Sequence, residues 1–226
     1  MKYFIEGLKG MLPITTGIIP FGLVMGTVCS EAQLTLLQSI GMNLFIFAGA
    51  SQLASVDLMG GQTETIVVVA TGLIINLRFM LYSAALSPVV RNSSFLTKLA
   101  SAYCLTDQNY AVMSAHQGVL SNNRDIIRFY FGASVCMIVA WHMSVIAGYT
   151  FGNFAPISWS LEYAVPLSFV ALVIPSLKGK KFIYVAVFSS LFSIVLNGLP
   201  YNLGLIFTAL LGIALGAFLT RDKVLK

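Results

Sequence analysis

Charge is what this chain lacks. Only 9% of its 226 residues are Asp, Glu, Lys or Arg, against about 25% in a soluble domain, and the deficit excludes a water-soluble globule. Residues 10–30, 32–56, 129–161 and 182–220 carry no formal charge, and a spanning helix needs only about 20 apolar residues. Cysteine is scarce too. Cys29, Cys104 and Cys136 stand in apolar surroundings at no metal-ligand spacing, which reads as buried free thiols. No Walker A pattern occurs, which argues against ATP hydrolysis in this chain. No metal and no cofactor is expected, and the chain is read as not an enzyme.

What is present is apolar and continuous. The chain is 58% hydrophobic with a mean hydropathy of +0.87. The uncharged runs do not alternate as barrel strands would, so the fold class is all-α and the protein polytopic in a membrane. Gly, Ala and Ser recur inside the runs, as they do where membrane helices pack closely. Eight helical segments are expected, near 12–30, 33–58, 64–88, 95–120, 126–151, 158–177, 181–197 and 201–220. The fourth is the least apolar and is expected to be broken or only partly inserted. Asn197 to Asn202, with Gly198 and Pro200, is a tight turn between the last two. Nothing reads as a linker or soluble domain, so residues 1–226 are taken as one transmembrane domain.

The net charge of +5 says little about nucleic acid, because most positive residues sit at segment ends, where they orient helices. Lys178, Lys180 and Lys181, then Arg124 and Arg128, then Arg221, Lys223 and Lys226 agree on one cytoplasmic side if segments five to eight each cross. The C-terminus is therefore expected inside, with seven or eight crossings in total. Met1 to Lys9 reads as a short cytoplasmic lead-in with no cleavage site after it. An internal repeat is faintly visible: Ile18–Val24 lies beside Ala164–Val170, and Ala50–Leu58 beside Phe188–Leu196 with matches at Ser51, Leu53, Ser55 and Leu58. With eight crossings the first and last three segments would be inverted, a plan many transporters share.

Against this background a few polar positions stand out. Arg78 is the only charged residue between Glu64 and Arg91, and Asn76-Leu77-Arg78 sits inside an apolar stretch from Ile66 to Leu86. Arg stays protonated, and at membrane depth it must be paired or solvated. Its best partner is Asp107, alone in charge between Leu99 and Asn123. Such a pair is either a structural tie between helices or a switch that a substrate carboxylate or a proton can open. Pro13 and Pro20, with Gly17, Gly22 and Gly26, are expected to kink or interrupt the first segment. A half-helix N-terminus at Pro20 and Gly22 could hold a carboxylate; the plainer reading is a packing kink. Phe47-Ala48-Gly49-Ala50-Ser51-Gln52 is a second small-residue break ending in a polar pair. Ser51 and Gln52 would serve helix contact or substrate hydrogen bonding. A Ser51–His142 protease pairing is the weak third reading, and His142 itself reads mainly as a packing residue. Glu162 and Asp57 are placed near helix ends.

In order and spacing these motifs resemble the AzlC family, the large subunits of branched-chain amino-acid exporters. The likeness runs from Gly17–Gly26 around Pro20-Phe21-Gly22, through Phe47–Gln52, Asn76-Leu77-Arg78 with Tyr82-Ser83, to Leu105-Thr106-Asp107, and extends to Glu162–Pro166. The chain departs from the pattern at Gln108, where an acidic residue is common, and at Glu162, where aspartate is expected. The resemblance implies export of valine, leucine, isoleucine and methionine across an inner membrane, with a small AzlD-like membrane subunit as partner.

The resulting expectation is a secondary-transporter subunit whose midplane cavity is lined by the two broken segments with Arg78, Asn76, Ser51, Gln52, Gly49, Pro20 and Gly22, and whose coupling pair is Arg78–Asp107. The alternative is a non-transporting structural or regulatory membrane subunit in which that pair is only glue.

Overall fold

The computed structural model of the chain describes residues 1–116, 120, 122–151, 170, 177, 179–199 and 203–220. Helices follow in the order α1 (Lys2–Glu31), α2 (Leu36–Phe45), α3 (Gly49–Gly60), α4 (Thr65–Asn76), α5 (Arg78–Val90), α6 (Phe95–Tyr103), α7 (Asp107–His116), α8 (Asn123–Phe151), α9 (Lys180–Leu196) and α10 (Leu203–Thr220). No strand occurs among the described residues. The chain divides into two compact units, Met1–Leu172 and Val173–Lys226.

Each expected segment that is described has its helical counterpart, and three of them arrive as pairs: α2 with α3, α4 with α5, α6 with α7. Segment six, with Glu162, Pro166 and the Ala164–Val170 part of the repeat, lies outside the described residues. So do Lys178, Pro200–Asn202 and Arg221–Lys226. Among the described residues three stretches are long and apolar enough to cross a membrane: α1 with 30 residues, Thr65–Val90 with 26, and α8 with 29.

The centre of the first unit is the contact between α1 and α8. A Cβ added at Gly132 would collide with the Phe4 carbonyl, and one at Gly148 with that of Leu23. The two backbones therefore touch, which is how helices associate when lipid offers no hydrophobic drive. The Thr27 hydroxyl reaches across to the Gly148 carbonyl at 3.3 Å. Around this seam Met11, Ile18, Phe21 and Met25 of α1 pack with Phe129, Ala133, Met137, Trp141 and Val145 of α8, joined by Phe47 and by Val56 of α3. A second cluster, Leu86, Val89, Cys104, Leu105, Met113, Ile126 and Tyr130, ties α5, the loop before α7 and α8 together. Cys29 and Cys104 are buried free thiols, and Cys136 is half-buried.

The expected interruption at Pro20 is absent. Pro13 and Pro20 both lie inside α1, which runs unbroken from Lys2 to Glu31. Prolines free backbone carbonyls, but a membrane helix tolerates this when neighbours and Ser/Thr side chains compensate. The carbonyls freed by Pro13 and Pro20 are those of Lys9 and Thr16. Here α8 supports the helix along its length, and Thr15 and Thr16 add bonds to the Leu12 and Pro13 carbonyls in the turn after Pro13, at 2.6 and 2.7 Å. No half-helix N-terminus forms there.

In the second unit α9 packs on α10, and the Lys181 ammonium donates to the Leu219 carbonyl. None of the α9 side chains is buried. Ile194, Val195, Leu191 and Phe218 are largely exposed, as suits helices in contact with lipid.

Candidate functional site

Three interruptions bring polar groups to one place. The first separates α2 from α3 at Ile46-Phe47-Ala48. Phe47 adopts a positive φ of 43°, a conformation rarely taken by a bulky residue, and turns the chain so that α3 starts inside the protein. A buried amide network holds this turn. The Gln52 Oε1 accepts from the Ala48 N–H at 3.2 Å, and its Nε2 donates to Asn43 Oδ1 at 2.8 Å. The same Asn43 oxygen accepts from the Trp141 indole at 3.1 Å. Gln52 is fully buried, and Asn43 nearly so. Ser51 donates to the Ala48 carbonyl at 2.9 Å.

The second interruption is one residue long. Leu77 parts α4 from α5 and places Arg78 midway along the Thr65–Val90 span. The third, Cys104-Leu105-Thr106, parts α6 from α7. Thr106 caps α7 by accepting from the Asn109 N–H at 3.2 Å, while the Asn109 amide donates to the Cys104 carbonyl and to Ser134. Asp107 is thereby fixed as the first residue of α7.

Arg78 and Asp107 meet as the sequence suggests, Nη1 to Oδ2 at 3.0 Å, with side-chain exposures of 28% and 9%. The guanidinium also lies over the Phe79 ring, 5.4 Å from its centroid. Tyr82 stands beside the carboxylate and stacks on Tyr110 at 4.4 Å. The pair is incompletely satisfied: Asp107 Oδ1 and Arg78 Nε are buried with no hydrogen-bond partner, and so is Asn76 Oδ1.

A pocket opens on this pair. Its lining comprises Ile18, Phe21, Phe47, Ala48, Gly49, Ala50, Arg78, Phe79, Thr106, Asp107, Gln108, Met137 and Trp141. Two helix N-termini, those of α3 and α7, thus border the pocket together with the ion pair. No side chain caps α3, so its leading N–H groups, which have no intrahelical acceptor, and its dipole favour an anion. The remaining wall is aromatic and aliphatic, with Phe21 set edge-on to Trp141 at 5.2 Å. The free volume is ≈ 20 Å³, room for about one water molecule. Any larger ligand therefore requires the walls to part.

Of the sequence-derived site residues, Arg78, Asp107 and Gly49 line the pocket. Ser51 and Gln52 sit behind it, their polar atoms engaged in holding the turn. Asn76 is adjacent to the break at Leu77 but outside the lining. Pro20 lies between the lining residues Ile18 and Phe21, and Gly22 packs against Ser144 of α8. His142 bonds through Nδ1 to the Ile138 carbonyl at 2.9 Å and stacks on Phe47. The Ser51 hydroxyl, for its part, is given to its own helix. Asn43 and Trp141 were not picked out from the sequence. A lone Asn in an uncharged run was the available signal for the first. Among the described residues no cluster of three His, Cys, Asp or Glu side chains could hold a metal ion.

The family model described as AzlC protein matches residues 13–155. The chain is similar to the inner membrane protein YgaZ of Escherichia coli (strain K12), 23% identical over 205 residues that cover 87% of this chain and 83% of that protein. An uncharacterized membrane protein of Archaeoglobus fulgidus is 26% identical over 181 residues, 78% of this chain and 77% of its own. One from Helicobacter pylori (strain J99) is 24% identical over 182 residues, 79% and 77% respectively. No solved structure matches.

Proposed function

The chain belongs to the AzlC family of membrane proteins, and from that premise we propose that it is the large subunit of a secondary transporter exporting branched-chain amino acids. The single observation that carries this reading is the pocket of α1, α3, α5, α7 and α8, in which an incompletely satisfied ion pair and an uncapped helix N-terminus face an apolar wall. A pair that served only as glue would gain nothing from leaving an oxygen dry and unpaired, because an unsatisfied buried polar atom costs free energy.

In this reading the substrate carboxylate is held by Arg78 and the leading N–H groups of α3, and the aliphatic side chain by Phe21, Phe47, Met137 and Trp141. Asn43, Gln52 and Ser51 keep the α3 terminus in position. Access alternates as the breaks at 46–48 and 104–106 flex, since interrupted helices are the usual hinges of such transporters. The protein works in the inner membrane with its C-terminus in the cytoplasm, together with a small AzlD-like membrane subunit, and performs no covalent chemistry.

The test is efflux of labelled leucine or valine from cells expressing the chain with and without the small subunit. Efflux is expected with both present and is expected to fall to background in Arg78→Ala while the protein stays folded. The exchanged pair, Arg78→Asp with Asp107→Arg, separates the roles. Restored folding without restored efflux fits the substrate role, whereas full recovery of efflux would mark the pair as structural. No efflux of any aliphatic amino acid from the complete system would sink the export assignment.

A further inference from the structure

The buried oxygen left over on Asp107 gives the pocket a second charge preference. The carboxylate commits Oδ2 to Arg78 at 3.0 Å and keeps Oδ1 unpaired, with the side chain about nine-tenths buried on the pocket wall. Beside it, Arg78 keeps Nε unpaired as well. A site meant for a simple anion would not carry a carboxylate at its edge, because the like charge opposes binding. A site meant for a simple cation would not carry Arg78 and the uncapped start of α3.

We propose that the ion pair stays closed during binding and that the substrate is selected as a zwitterion lying across it in the opposite sense, with its α-ammonium on Asp107 Oδ1 and its carboxylate on Arg78 and the α3 N-terminus. This rests on the transporter reading for its biological meaning but not for its chemistry. The ammonium and carboxylate of an α-amino acid are separated by one carbon, and the guanidinium and carboxylate of the protein pair are in direct contact, Nη1 to Oδ2 at 3.0 Å. Laid head to tail, each charge meets an opposite one and no net charge is added to the membrane interior, where an uncompensated charge is costly. The arrangement also supplies a donor for Oδ1, the atom that the folded chain leaves unsatisfied. Tyr82 stands beside the same carboxylate and stacks on Tyr110. The consequence is discrimination by both charges at once. Molecules carrying only one of them fail, whatever their aliphatic part.

Binding is measured on the full chain, purified in detergent with its proposed small subunit, as the ligand-induced shift of the thermal unfolding midpoint. The probes are leucine, 4-methylpentanoate, which lacks the ammonium, and 3-methylbutylamine, which lacks the carboxylate. Leucine is expected to bind at least about tenfold tighter than either half-molecule, since a site built to pair a group rejects ligands without it. Asp107→Asn is expected to lose that preference over 4-methylpentanoate while still binding the carboxylate. Asp107→Glu, which keeps the charge, guards against a folding defect and is expected to keep the preference at weaker affinity. Equal binding of leucine and 4-methylpentanoate by the unaltered protein, no leucine-induced shift, or an unchanged preference in Asp107→Asn would overturn the proposal. Leucine-selective binding without leucine efflux would leave it standing and sink the export reading instead, so the two fail separately.

Discussion

The break between α2 and α3 is held by neutral amides, and the break between α6 and α7 presents a charge. At the first, Asn43, Gln52 and the Trp141 indole satisfy one another and the Ala48 N–H, and α3 is left uncapped. At the second, Thr106 caps α7 and Asn109 ties the loop to Ser134, so that Asp107 can be presented at its first position. Both solve the same problem. Backbone opened at membrane depth must find partners within the protein, and each break recruits a buried amide side chain and a residue of α8 to provide them. They differ in what they offer the pocket. The first offers bare N–H groups and the second a carboxylate, and Arg78 enters between them from the interruption at Leu77. A site that reads both ends of a zwitterion needs such unlike neighbours.

If the amide strut of the first break is what keeps α3 in place, its removal should produce the larger stability loss. Gln52→Leu preserves volume but orphans the buried Ala48 N–H, and a buried unsatisfied group costs about 1–3 kcal/mol. A fall of that size in unfolding free energy is expected in detergent, together with loss of efflux, because the α3 terminus would drift from Arg78. Unchanged unfolding would mean the turn is held by packing alone. Phe47 sharpens the point with a smaller effect. Its φ of 43° costs any L-residue about 1–2 kcal/mol relative to glycine, and its ring is sandwiched between Tyr103 and His142 at 5.6 and 5.7 Å. Phe47→Ala and Phe47→Gly both lose the sandwich, but only the alanine keeps the backbone cost. Phe47→Gly should therefore be the more stable of the two by about 1 kcal/mol, the reverse of the usual order in a helix or strand. The usual order would show that the turn relaxes once the ring is gone.

Much of this was legible in the sequence, for physical reasons that can be named. The helical segments followed from uncharged runs, since nothing else in a membrane protein permits them. Arg78 and Asp107 were each isolated in apolar sequence, and two lone opposite charges in one membrane domain have strong reason to meet. The small-residue break near Phe47 was readable because Gly49 and Ala50 follow it. Pro20 misled because proline weakens a helix locally, whereas α8 pressed along α1 supports it. Gln52 and Ser51 stood out as polar and read as serving either helix contact or substrate hydrogen bonding. Whether a buried amide faces a ligand or the backbone depends on what packs beside it, here Asn43 and Trp141, and no spacing rule carries that. The interruption at Leu77 left no mark because Leu is a good helix former and Leu77 keeps helical dihedrals.

A salt-screened effect belongs to the other ion pair of the first unit that joins Arg to Asp. Arg128 Nη1 meets Asp125 Oδ1 at 3.2 Å across one turn of α8, with side-chain exposures of 51% and 22%. Both pairs look alike as contacts, but water reaches this one. An exposed i,i+3 pair contributes about 0.2–0.5 kcal/mol, and Asp125, in the first turn of α8, adds about 0.3–1 kcal/mol through the helix dipole. Asp125→Asn is therefore expected to lower stability by about 0.5–1.5 kcal/mol at low salt, with a loss that shrinks as salt is added and with efflux unchanged. Asp107→Asn should show neither property, since Asp107 is more deeply buried than Asp125 and the proposal gives its second oxygen to the ligand. If the two substitutions gave equal, salt-screened losses, burial would not distinguish the pairs, and the case for Asp107 as a binding residue would lose its physical basis.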